Sequence, residues 1–132
     1  MPVRILLELE FADWARDNDI TDVMLLKVAK EIEAGLVDAR LGGFLLKKRM
    51  AAPGRGKRGG YRVILAHRQA DRLIFLYGFA KNQREDITKV EMTALQQLAT
   101  IFMQADNSKL NEMIAASTIL EIRHEQDTGK RP

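Results

Sequence analysis

From Gly54 to Arg62 the chain reads GRGKRGGYR, four glycines and four basic residues in nine positions. Residues of these types suit a phosphate chain: cations neutralise it and release its condensed counterions, and glycine lets the backbone come close. The wider window 47–62 (KKRMAAPGRGKRGGYR) contains Lys47, Lys48, Arg49, Arg55, Lys57, Arg58 and Arg62 and no acid. It carries +7 against a chain total of +3, so the remainder carries −4. A basic stripe on a mildly acidic body is the electrostatic footprint of a polyanionic partner. A solvated loop is the plain alternative.

Other chemistries fit less well. Gly54, Gly56 and Gly59 have G-x-G-x-x-G spacing, but a dinucleotide loop places a pyrophosphate on a helix N-terminus, whereas this loop runs into the strand-like YRVILAHR. The further motifs of a kinase are absent, and the G-x-x-G of Gly56 to Gly59 does not join helices as an RNA-clamping loop of that kind does. His67 and His124 are the two histidines, far apart and without metal-ligand spacing, and there is no cysteine. Neither a metal nor another cofactor is expected. Ser108 and Ser117 sit where capping and packing explain them, and His67 reads equally well as a hydrogen-bonded structural residue.

Strands hold cations more rigidly than loops do. Alternation in FLLKKRM puts Lys47 and Arg49 on one face and Lys48 on the other, and in YRVILAHR it sets Arg62 opposite Tyr61 across the sheet plane. Converging cations can stabilise the charge of a phosphoryl transition state without a metal. They also depress a neighbouring lysine's pKa, which makes Lys47 and Lys57 candidate proton carriers. The same residues can equally serve to bind phosphate alone.

The supporting elements follow from periodicity. Val3, Ile5, Leu7 and Leu9 alternate with Arg4, Leu6, Glu8 and Glu10, predicting a half-buried first strand. FADWARDN makes one or two helical turns with Phe11, Trp14 and Ala15 on one face. Leu25, Val28, Ala29, Ile32 and Leu36 mark an amphipathic helix capped by Thr21 and stopped at Gly35. FLLKKRM, YRVILAHR and RLIFLYGFAK form an antiparallel meander, the third strand covered on both sides. TKVEMTALQQLATIFMQA opens with a Thr88–Glu91 capping box, and SKLNEMIAAS makes a short helix leading into TILEIRHE, whose form is open. The fold class is α+β, with N-terminal helices packed on an antiparallel sheet and a C-terminal helix.

With 132 residues, 46% hydrophobic and 30% charged, the chain fits one domain over 1–126 and a frayed tail over 127–132, since two ordinary cores need roughly 200 residues. No apolar run reaches the roughly 18 residues of a membrane span, and acids at Glu8 and Glu10 interrupt the N-terminus too early for a signal peptide. A soluble, cytoplasmic protein is expected.

The order of elements and the residues KKR, GKRGGYR and YGFAKN together resemble the RelE/HigB family of toxins from type II toxin–antitoxin modules, with similarity from FADWARDNDITD to TKVEMTALQQLA. The resemblance implies a ribosome-dependent mRNA endoribonuclease in which the RNA's own 2′-hydroxyl attacks the adjacent phosphate without a metal, inhibiting translation. By position it assigns Arg62 to phosphate stabilisation and Lys47 or Lys81 to proton transfer or charge neutralisation. RNA contacts fall on Arg49, Lys57, Arg58, Tyr61 and Arg84, with Tyr61 and Tyr77 as possible stacking platforms. Asn82 stands where some members have a second basic residue, and no residue is clearly placed as general base. An antitoxin, commonly of helix-turn-helix type, is the expected partner beside ribosome and mRNA. The alternatives are a gyrase-inhibiting ParE-like toxin and a non-catalytic nucleic-acid-binding regulator.

Overall fold

Strand β1 (Arg4–Glu8) passes without a loop into helix α1 (Leu9–Asp17), because the Glu8 carboxylate accepts from the Phe11 N–H and caps the helix. This computed structural model describes residues 3–52 and 60–123. The expected tail, His124 and most of the glycine-rich loop, with Lys57 and Arg58, lie outside those residues. Helix α2 (Asp22–Glu33) starts at Thr21, whose hydroxyl accepts from the Met24 N–H, and stops before Gly35 at φ +90°. Leu36, expected on its apolar stripe, lies past the helix end and is exposed.

Strands β2 (Ala39–Arg40), β3 (Leu45–Met50), β4 (Tyr61–Arg68) and β5 (Arg72–Ala80) pair antiparallel in succession. Helices α3 (Lys89–Gln104) and α4 (Asn107–Ala115) follow, capped by Thr88 and Asp106, and β6 (Ile119–Ile122) closes the order β2-β3-β4-β5-β1-β6. The meander is antiparallel as expected, but the sheet is mixed: β1 inserts between β5 and β6 and runs parallel to β5. With helices over both faces, Ile5, Leu6 and Leu7 are all buried, so β1 is a fully covered strand and not a half-buried one. Leu9 belongs to α1 and is exposed.

The sheet separates two cores. Ile5, Leu7, Leu65, Leu73 and Phe75 pack with α1 and α2, while Leu6, Ile64, Ala66, Ile74 and Leu76 pack with α3 and α4. A bulge shifts the β4–β5 register from Ile64↔Tyr77 to Leu65↔Phe75, leaving Leu76 without a partner. Simple alternation from Phe75 would send Tyr77 and Phe79 to the α1 face. The extra residue turns both to the α3 face and presents Gly78 to Trp14 of α1. No helix among the described residues is long and apolar enough to cross a membrane.

Gly78 is a site of close approach: a Cβ there would lie 2.2 Å from Trp14 Cζ3 and 2.5 Å from Cε3. The indole is itself held by Phe11 and Tyr61, with ring centroids 5.5 and 5.3 Å away. Gly78→Ala is therefore expected to cost about 1–3 kcal/mol by overpacking, read by urea unfolding followed through Trp14 emission. A loss under about 0.5 kcal/mol would show that the indole swings aside freely.

Candidate functional site

The β3–β4 register aligns Arg49 with Arg62 and Lys47 with Ile64, which places Lys47, Arg49 and Arg62 on the α3 face at the end of the sheet where α3 begins. Directly opposed like charges destabilise a sheet. Arg49 is compensated by Asp38, which accepts from its backbone N–H at 2.7 Å and its Nε at 3.0 Å. Arg62 has no carboxylate partner among the described residues, and its guanidinium reaches only the Tyr61 carbonyl, at 3.4 Å.

Around this pair the segment after β5 folds back through ion pairs. Lys47 Nζ donates to Asp86 at 2.9 Å, and Lys81 lies 3.5 Å from Glu85. Burial pushes the Asp86 carboxyl up, but the Lys47 hydrogen bond, the Ile87 N–H and the charges of Lys47 and Lys81 outweigh it and hold the group below the ordinary carboxylate range. Asp38 follows the same logic, burial being outweighed by the Arg49 hydrogen bonds and the charges of Lys48 and Arg49. Arg84 lies over Tyr77 and Phe79, 5.9 and 5.7 Å from the ring centroids, and donates to the Tyr77 hydroxyl at 3.0 Å. It also grips both oxygens of Glu91 at 2.6 and 3.1 Å, in a bidentate pair.

Glu91 thus does two jobs, closing the α3 capping box and anchoring Arg84. The Arg84 hydrogen bonds, then the Thr88 N–H, lower its pKa from 4.5 to about 2. A folded-state pKa below the unfolded value contributes stability above about pH 4.5 that is lost as pH falls toward 2. Glu91→Gln should therefore flatten the acid limb of the stability profile between these values, measured by denaturant midpoints at successive pH. An unchanged slope would mean that water replaces the pair at no cost to the fold.

The remaining expected residues separate. Lys48 turns to the opposite face and meets Glu31 of α2 at 3.1 Å, buried. Tyr61 is on that face too, edge-on to Trp14 with its hydroxyl 3.4 Å from Asn18 Oδ1, and so stands apart from the cations. His67, near the far end of β4, bonds Glu33 of α2. Gly60 is the described glycine of the loop motif, and a Cβ there would fall 2.4 Å from the Met50 carbonyl oxygen, so the chain needs glycine where it closes on β3.

Sequence reasoning missed the carboxylates Asp38 and Asp86, which nothing in local spacing ties to Arg49 and Lys47, and saw Glu91 only as a cap. It also missed a cavity of about 370 Å³ where β5 extends past the end of β1, lined by Glu10, Trp14, Tyr77, Gly78, Gln83 and Arg84 among others. The group as a whole offers a row of fixed cations, one of them without a carboxylate among the described residues, beside the half-buried Tyr77 ring: an arrangement that can hold a phosphodiester and stabilise added charge on it. A family model described as the RelE toxin of the RelE / RelB toxin-antitoxin system matches residues 3–122. No curated protein matches the chain.

Proposed function

Since the chain belongs to the RelE family of toxins, we propose that it is an mRNA endoribonuclease acting in the cytoplasm on the translating ribosome, restrained by an antitoxin of helix-turn-helix type. The observation that carries this reading is the Arg49–Arg62 pair. A sheet that sets two cations opposite each other and, among the described residues, neutralises one of them supports a role for the other in holding an anion.

In this reaction the 2′-hydroxyl passes its proton to water as its oxygen bonds to the adjacent phosphorus, and the bond from phosphorus to the 5′-oxygen breaks, giving a 2′,3′-cyclic phosphate and, once the leaving oxygen is protonated, a 5′-hydroxyl. Arg62 donates to the non-bridging oxygens as charge builds there, with Arg49 alongside. Lys47 and Lys81 supply positive charge and a proton for the departing 5′-oxygen. Asp86, held below the ordinary carboxylate range, is a weak base and serves to orient Lys47. Tyr77, held by Arg84, gives a base something to stack on. Lys57 and Arg58, outside the described residues, are proposed RNA contacts on their charge alone.

The test is a defined mRNA incubated with the purified protein, with and without translating ribosomes, and mapped for 5′ ends by primer extension. Cuts that need ribosomes are expected. Cuts on free RNA would keep the nuclease and remove the ribosome requirement, and no cuts by folded protein would return the site to plain binding or to a gyrase target.

A further inference from the structure

We infer that the cavity at the open edge of β5 is a nucleobase pocket that selects guanine in single-stranded RNA. The inference rests on the RNA reading of the neighbouring cation face and adds a specificity determinant to it. The cavity is continuous with that face through Tyr77 and Arg84, yet it also reaches round the sheet edge to Glu10 and Trp14 of α1. Its 370 Å³ is at the lower end of the range for small-ligand sites, roughly 300–1,000 Å³.

Its polar groups differ from those of the cation row. The Glu10 carboxylate and the Gln83 side-chain amide have no partner among the described residues, whereas Arg84 spends most of its donors on Glu91, Tyr77 and Asp86. A carboxylate repels phosphate, so the backbone belongs on Arg49 and Arg62 and only an uncharged base belongs here. Carboxylates accept hydrogen bonds and cannot give them. Guanine alone among the four bases presents two adjacent donors, N1–H and the 2-amino group, to both oxygens of one carboxylate, and its O6 is then within the compass of an amide or guanidinium N–H. Uracil offers a single N–H between two repelling carbonyls. Trp14 and Tyr77 supply aromatic surface for the ring. Gly78, without a side chain, lets the Trp14 indole come up against β5 at the cavity wall.

Trp14 is the single tryptophan of the chain, so its emission reports directly on the cavity. The experiment titrates the protein with four 2′-O-methylated, uncleavable tetranucleotides, UUGU, UUAU, UUCU and UUUU. Affinity is followed by the anisotropy of a terminal dye and pocket occupancy by Trp14 quenching. UUGU is expected to bind about tenfold or more tighter than UUUU and to quench Trp14. Glu10→Gln, at an exposed position, should erase that preference, and Gln83→Ala should reduce it. Arg62→Ala should weaken all four oligonucleotides alike. Quenching without base preference would overturn the guanine assignment, and binding without quenching would place the base outside the cavity. Failure of all four to bind would overturn the pocket as a site for single-stranded RNA, while ribosome-dependent cleavage stands or falls by the primer-extension test.

Discussion

Replacing Arg62 by alanine is expected to lower the rate of mRNA cleavage by about 10²–10³-fold, the usual loss when one preorganised donor to a developing anionic charge is removed. The same change should leave the melting temperature unchanged or slightly raised. Both expectations have one cause. Arg62 faces Arg49 across the β3–β4 ladder without a carboxylate of its own among the described residues, so in the free protein it adds repulsion and little else. An opposed cation of this kind within the cation row fits the phosphate contact proposed for Arg62. Arg62→Lys separates charge from geometry: a lysine keeps the charge but loses the planar fork that matches two phosphate oxygens, so partial activity is expected. Cleavage is measured on ribosome-bound mRNA by primer extension, with circular dichroism melts on the same preparations. Full activity in Arg62→Ala would remove this residue from the chemistry, and a collapsed melt would mean that its role is structural.

The second large effect is on stability and lies at the other end of the sheet. Arg72 is 1% exposed, donates to the carbonyls of Phe102 (2.8 Å) and Ala105, and meets Asp71 at 2.8 Å. Arg68, across the hairpin, reaches the Met103 carbonyl at 2.5 Å and Asp71 as well. Helix α3 has no basic residue in its own last turn. Its orphan carbonyls and negative dipole end are satisfied instead by two arginines from the β4–β5 hairpin. Burial pushes Asp71 up, but the Arg68 hydrogen bond and the charges of both arginines hold it below the ordinary range, so it remains ionised between them.

Arg72→Met removes the donors while keeping much of the side-chain volume, leaving buried carbonyls without partners. A loss of about 3 kcal/mol is expected, from roughly 1–3 for each unsatisfied buried group and 3–5 for breaking a buried pair. That is a drop in melting temperature of roughly 10 °C for a domain of this size. A loss below about 1 kcal/mol would mean that water takes the place of the guanidinium. Asp71→Asn, at a half-exposed position, should cost less than Arg72→Met, since the carbonyl contacts survive it.

Much of this structure was legible in the chain because its signals are local. Thr21 and Thr88 cap the helices they were expected to cap, and Glu91 completes the box at α3. The meander strands and the turn at Gln69 to Asp71 also fall where alternation and turn chemistry put them. The bulge at Leu76 was not legible, because one extra residue inside a continuously apolar run leaves no mark on the pattern. It decides, however, that Tyr77 and Phe79 share a face with Arg62. The form of the TILEIR segment was not legible for a similar reason: as β6 it needs the edge of β1, more than a hundred residues away.

The family, the caps of α2 and α3, the charge density around residues 47–62 and the opposed facing of Arg62 and Tyr61 could all be read from the order of residues. Each depends on a neighbour or on a period of two or 3.6 residues. Folding in three dimensions was needed to set β1 parallel to β5, to bring Asp38 and Asp86 to Arg49 and Lys47 while Arg62 has no carboxylate among the described residues, and to bring Glu10 and Gln83 to one aromatic cavity. These pairings join segments separated by tens of residues. They are set by which faces the two cores bury, and no local propensity encodes that choice.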